Sequence, residues 1–360
     1  MSMPRRQWMQ LCLGMGVGGV LASAGAGQGT PAVRGTETSP LQTSGRAQDA
    51  LDSLVWHERA MLGFGTTLWL RAGHTNTAQL DAALDAAVKA LQAIESEMSL
   101  FNPDSAVSRL NAKGVLHNPS AHLRAVLAWS AHVSRRSAGA FDISMQPLWK
   151  VWAQAQAQHQ LPSKRAVMHA QQQVNWQAVE VSADAVRLNL KGMGVSLNGI
   201  AQGYAADVVK AVLQAHGIAH AQIDAGETTL LGQAPGGQPW SLGVEAVALT
   251  QSPRPAPVLR MDGRAVATSS DAHTVFSADH LNHHILNPHT GYSPRQWASV
   301  TVLAPCCVMA DALTKVFFMS SPQQLHATAQ AWGVDVLAQR KHGAWVKTAG
   351  VPLAKPMSHG

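Results

Sequence analysis

From Thr77 to Met98 the residues Leu80, Leu84, Val88, Leu91, Ile94 and Met98 recur at spacings of three and four, the period of one helix face. That run predicts a long amphipathic helix, and four further stretches repeat its period. Leu123, Val126, Leu127 and Val133 mark a helix over about 121–135, with Gly139 just beyond its end. Another covers about 203–216 and stops at Gly217, a residue that tolerates the left-handed cap conformation. Two more fall at about 309–319 and 323–332. Between them the period drops to two. Val179 and Val181, then Val186, Leu188 and Leu190, alternate around 182–185 as a hairpin does. Trp240, Leu242 and Val244 alternate likewise, and Val258 to Val266 is expected to fold back on itself around Asp262-Gly263. Val300 and Val302 mark a further strand, followed by short ones at about 334–337 and 344–347. Helices are grouped rather than alternating one for one with strands, so the expected class is α+β and not a doubly wound parallel sheet.

The 360 residues allow one large domain or two medium ones. Charged residues make up only 13% and hydrophobic ones 46%, which excludes a disordered polyelectrolyte. The formal net charge is +6, with two of those charges from Arg5 and Arg6. The rest is scattered, as at Arg109, Arg135, Arg136, Lys164, Arg165 and Lys210. With no dense basic stripe to track phosphates, nucleic acid is excluded as a partner.

Residues 1–28 read as a targeting segment. Arg5-Arg6 precedes an apolar run from Trp8 to Leu21, and small residues follow at 22–26 with expected cleavage after Ala24 or Ala26. The arginine pair followed by Gln7, Trp8 and Met9 resembles a twin-arginine export signal, with an ordinary secretory signal as the alternative. Either implies a periplasmic mature protein. Residues 29–50, rich in Gly, Ser, Thr, Pro and Gln, read as a flexible linker ahead of a domain over 51–350. No later apolar run approaches the roughly 20 residues that span a bilayer. Cys12 would leave with the signal, and the adjacent pair Cys306-Cys307 does not make a disulfide framework.

Seven short motifs stand in order along that domain. They are Gly63-Phe64-Gly65-Thr66-Thr67; Glu95 to Ser105 with Ser108-Arg109-Leu110-Asn111; and Gly139-Ala140-Phe141-Asp142-Ile143-Ser144 with Pro147-Leu148. Then come Leu197-Asn198-Gly199-Ile200-Ala201-Gln202-Gly203-Tyr204-Ala205 with Asp207; Ala267-Thr268-Ser269-Ser270; His284 to Gly291; and Ala310-Asp311-Ala312-Leu313-Thr314. In this order and at these intervals the chain closely resembles the ApbE-type flavin transferases, also called FAD:protein FMN transferases, over about 55–345. The resemblance implies a single T-fold-related domain of antiparallel sheets with packed helices. It implies a periplasmic, magnesium-dependent enzyme that cleaves the FAD pyrophosphate. FMN is joined to a Thr or Ser hydroxyl of an acceptor flavoprotein, a subunit of a membrane electron-transfer complex, and AMP is released.

The resemblance also implies residue roles. Asp311 would be the magnesium carboxylate, with Thr314 and the Ala201 carbonyl as further ligands, although an acid in a first helical turn is also favoured by the macrodipole alone. His284 would be the general base, since a neutral imidazole can accept a hydroxyl proton; read alone, it is a strand or hydrogen-bonded core residue. His280, His283 and His289 are expected to face solvent. Gly63, Gly65 and Thr66 would let backbone approach FAD, or else mark a bulge. Phe101 and Asn102 would form the flavin lip, and Asp142 and Ser144 would lie near substrate. Gly203 and Tyr204 would open a helix whose N-terminus could face a phosphate, and Thr268 and Ser269 would lie near the adenine and phosphates, or form a turn.

Four positions depart from the family pattern. Gln202 stands where Lys is common, Asn198 where Gly is common, and Ile223 to Thr228 lacks the usual Gly-Gly-Asp. Lys315 stands where a Thr lies four residues beyond the metal Asp. These departures bear on magnesium and transfer more than on FAD binding or the fold. Two other functions remain open: a periplasmic FAD-binding protein or FAD pyrophosphatase without an acceptor, and a metal-binding protein suggested by 17 histidines.

Overall fold

A computed structural model describes residues 51–245, 247, 256–272, 274–277 and 279–354. The targeting segment and the linker lie outside the described residues. In chain order the elements are β1 (Val55–Gly63), β2 (Thr66–His74), α1 (Thr77–Met98), α2 (Ala106–Lys113), β3 (Val115–His117), α3 (Ala121–Arg136), α4 (Gln146–Ala157) and α5 (Lys164–Gln171). After them come β4 (Val179–Val181), β5 (Ala185–Leu188), α6 (Ala201–Ala215), β6 (His220–Asp224), β7 (Thr228–Leu231), β8 (Ser241–Gly243), β9 (Val258–Arg260) and β10 (Ala265–Ser270). The chain closes with β11 (Trp297–Ala304), α7 (Cys307–Met319), α8 (Leu325–Trp332), β12 (Asp335–Arg340) and β13 (Trp345–Lys347).

Eight strands form one sheet in the order β1-β2-β6-β7-β10-β11-β12-β13, and every neighbouring pair is antiparallel. The expected α+β class holds. Helix α1 starts where the Asn76 side chain accepts the Gln79 N–H, and of its periodic face Leu80, Leu84, Leu91, Ile94 and Met98 are fully buried and Val88 partly so. It packs on β1, β2 and α6, while α7 packs on α6, β10 and β11. Among the described residues no helix is long and apolar enough to cross a membrane.

All eight residues of β11 are buried, because α7 covers one face of this strand and a second layer covers the other. That second layer corrects the expected Val258–Val266 hairpin. Asp262-Gly263 is a turn, with Gly263 at φ 91°, yet the strands on its two sides join different sheets. Strand β9 pairs with β8, whereas β10 pairs with β7 and β11. Leu259, Trp240 and Met261 pack against Val266, Leu303 and Leu337 from outside the large sheet. Arg264 secures the corner by ion pairs to Asp262 and to Asp335 of β12, both at 2.6 Å.

Register decides what meets at one end of the large sheet. Trp69 of β2 pairs with Asp224, the last residue of β6, so Thr66 and the β1–β2 turn overhang the β6–β7 turn. Thr228 opens β7 opposite Val266, so the onward run of β10 through Thr268 to Ser270 passes that same turn. Segments far apart in sequence converge there.

Candidate functional site

The β1–β2 connection is a two-residue turn, not a bulge. Gly63 pairs with Thr66, and Phe64 and Gly65 have φ of 52° and 80°, the positive angles of a tight hairpin turn. Any Cβ on Gly65 would stand 2.7 Å from the Phe101 ring, so Phe101 lies directly over the turn while remaining 66% exposed. Asn102 holds the neighbouring loop: its Oδ1 accepts the Asp104 N–H and its carbonyl accepts the Ser108 hydroxyl. Gly63, Gly65, Thr66, Phe101 and Asn102 thus form one corner, and an exposed aromatic ring there can stack on a planar ligand.

Beside that corner is a buried polar cluster built from α6, α7 and three strand ends. Asp311 is fully buried on α7. Its Oδ1 accepts from Lys315 Nζ at 2.5 Å, and its Oδ2 accepts the Gly203 N–H of α6 at 3.1 Å. The Thr314 hydroxyl donates to the Asp311 carbonyl at 2.7 Å and shares a 2.7 Å bond with Ser269. Glu227, also buried, accepts the Thr268 N–H at 2.9 Å, and the Thr268 hydroxyl bonds to Thr301. Burial, reinforced by the Asp311 charge, pushes the Glu227 carboxyl well above its usual range.

The two helices can approach this closely because position 203 has no side chain. A Cβ there would lie 2.4 Å from the Cys307 carbonyl oxygen and 2.7 Å from Asp311 Cβ. Cys306 gives α7 no side-chain cap; Asp207 of α6 takes that role, accepting the Cys307 and Val308 N–H groups at 2.9 Å each. Burial pushes the Asp207 carboxyl up to about 6. Cys306 and Cys307 are buried and not joined in a disulfide.

Several sequence expectations are redirected here. The α6 N-terminus presents the Gly203 N–H to Asp311, and the Tyr204 hydroxyl meets His122 Nδ1 at 2.8 Å, so neither group points to a phosphate. Asp142 and Ser144 bind each other at 2.6 Å and tie down the backbone of Asn175 and Trp176, which makes them a brace. The hydroxyls of Thr268 and Ser269 are engaged inside the protein. Glu227 and Asp207 received no role from sequence, because an acid at a strand end or on a helix has no periodic signature.

His284 stands on the loop after β10 and is half-buried, with Nδ1 3.2 Å from the Thr274 carbonyl. If Nδ1 carries the proton in that contact, the basic lone pair is on Nε2. His283 does not face solvent as expected. It is fully buried, with Nε2 3.2 Å from the Pro294 carbonyl and its ring 6.1 Å from Phe318 of α7. Burial pushes it down to about 3, so it is a poor proton acceptor at neutral pH. His280 is half-buried and His289 is exposed. Lys341 fastens the same loop, donating to the His280 carbonyl and pairing with buried Asp271.

A magnesium ion wants open oxygen ligands in near-octahedral array. The residues present do not fit one: both Asp311 carboxylate oxygens are taken, an ammonium sits on one of them, and the Thr314 hydroxyl is turned into the helix. The Ala201 carbonyl belongs to the first turn of α6 and is 1% exposed as a residue. A separate cavity of about 290 Å³ lies between α4, α5 and residues 192–194, and none of the expected site residues lines it.

The model of the ApbE family matches residues 64–338. The chain belongs to the ApbE family. Its relatives include a Vibrio cholerae FAD:protein FMN transferase, 26% identical over 69% of this chain and 76% of the relative. A Treponema pallidum FAD:protein FMN transferase is 28% identical over 78% and 83%. The ApbE protein of Thermotoga maritima superposes with a TM-score of 0.72 at 22% identity, over 82% of this chain and 97% of that one. Within this ApbE domain the corner under Phe101, the Asp311 cluster and the His284 loop together make up the candidate site.

Proposed function

We propose that this chain transfers FMN from FAD to a Thr or Ser hydroxyl of an acceptor protein and releases AMP. The observation that carries the reading is family membership over 64–338, with relatives that bear the transferase name across most of their own length. The acceptor hydroxyl oxygen attacks the FMN phosphorus, the bond from that phosphorus to the bridging oxygen breaks, and AMP leaves with the bridging oxygen. His284 Nε2 takes the hydroxyl proton, while the Phe101 and Gly65 corner receives the isoalloxazine ring. The magnesium implied by the resemblance takes no part in these steps.

The acceptor class is a flavoprotein subunit of a membrane electron-transfer complex. Purified protein incubated with FAD and a flavin-acceptor domain should release AMP and leave a fluorescent flavin band that survives denaturing electrophoresis. AMP release without that band makes the chain an FAD pyrophosphatase, and absence of both sinks the reading. In cells lacking the gene, exported membrane flavoproteins should lose their covalent flavin; if they keep it, this acceptor class is wrong.

The working compartment is the periplasm, reached by the twin-arginine route, on the strength of Arg5-Arg6 and the apolar run after it. Changing both arginines to Lys should leave unprocessed precursor inside the cell. Normal maturation of that variant would overturn the route.

A further inference from the structure

Lys315 lies one helical turn beyond Asp311, the i,i+4 spacing that puts both side chains on one face of α7. Its stem runs beside the entry to α6, where a Cβ on Gly199 would stand 3.1 Å from Lys315 Cε and 3.5 Å from the Phe141 ring. The slot directs Nζ to Asp311 twice, at 2.5 Å to Oδ1 and 3.2 Å to the main-chain carbonyl. Asp311 is fully buried, whereas the Lys315 side chain is 21% exposed. The ammonium therefore bridges a buried carboxylate and the outside of the cluster. A divalent cation arriving at this carboxylate would meet the ammonium already on Oδ1 and would have to displace it or sit beside a like charge.

We propose that Lys315 supplies, as a built-in monovalent cation, the positive charge that a divalent ion would bring to the Asp311 carboxylate, so that this chain binds its pyrophosphate substrate without magnesium. The identity of that substrate as FAD rests on the transferase reading; the replacement of the ion by Lys315 rests on the geometry alone. The pairing supports it. The Lys315 ammonium already meets the Asp311 carboxylate at 2.5 Å, and Lys315→Thr would leave that fully buried carboxylate without its cation. Unlike an exchangeable ion, the ammonium is present whether or not substrate is bound, and chelators do not remove it.

The test has two arms. In the first, magnesium chloride is titrated calorimetrically into the chelator-stripped full chain without flavin. Wild type should show no saturable binding up to about 10 mM, and Lys315→Thr should bind one ion at about 1 mM or tighter. In the second, FAD binding is followed by flavin fluorescence in magnesium and in EDTA. Wild-type affinity should agree within about twofold between the two buffers, while Lys315→Thr should bind about tenfold better in magnesium.

Saturable magnesium binding by wild type at about 1 mM, or a tenfold loss of its FAD affinity in EDTA, overturns the proposal. So does a Lys315→Thr protein that is folded by circular dichroism and still ignores magnesium. If Lys315→Thr does not fold, the wild-type titration decides alone, and Lys315→Arg should remain folded and equally indifferent to the ion. Failure of every variant to bind FAD in either buffer would sink the transferase reading, while the flavin-free titration would still decide the role of Lys315.

Discussion

His284→Ala should lower covalent flavin transfer about a hundredfold or more while leaving FAD affinity within about twofold, the pattern of a lost general base. The imidazole is half-buried and held at Nδ1 by the Thr274 carbonyl, so truncation removes the proton acceptor without opening the core. Its neighbours cannot substitute. His283 is buried and pushed down to about 3, and His289 lies five residues further on, on the exposed surface. Bound flavin, AMP release and fluorescent acceptor would be measured in the same samples. Transfer at the wild-type rate would remove His284 from the reaction, and loss of flavin binding would make it a substrate contact instead.

Asp311→Ala should cost about 3 kcal/mol of folding stability, because removing one partner of a buried ion pair leaves the other charge uncompensated. The figure belongs at the lower end of the usual range since Lys315 retains some solvent contact. The Gly203 N–H loses its acceptor as well. The double variant Asp311→Ala with Lys315→Met should regain most of the loss, since neither partner is then left charged and alone. Urea unfolding of the two single variants and the double variant gives the coupling directly. Additive losses would show that the two side chains do not act as a pair. Both Asp311 variants should also lose AMP release, because neither holds an ammonium against a carboxylate at this position.

The difference between the two histidines shows how far local pattern reaches. His283 and His284 are adjacent and chemically identical, and nothing in the residues around them separates a buried ring from a half-buried one. The separation comes from Phe318 of α7 and the Pro294 carbonyl, which close over His283 from other parts of the chain. The Val258–Val266 segment makes the same point for strands. A turn signal between two apolar runs reads as a hairpin, but the runs on either side of Asp262-Gly263 are claimed by different layers, because Trp240 and Leu259 cover the back of the sheet that β10 enters.

By itself the sequence determined the helices α1, α3, α6 and α7, the α+β class, and the order of motifs that marks the ApbE family. Those are local or linear properties, set by side-chain period and by residue identity at fixed intervals. It also showed Lys315 four residues beyond Asp311. Only the tertiary structure decided where that ammonium goes. The answer depends on Gly199 and Gly203, which have no Cβ to fill the slot and the helix crossing, and on a sheet register that delivers Glu227, Thr268 and Ser269 to the same place. Burial and the nearby Asp311 charge push the Glu227 carboxyl up from a turn far away in sequence, and no spacing along the chain encodes that.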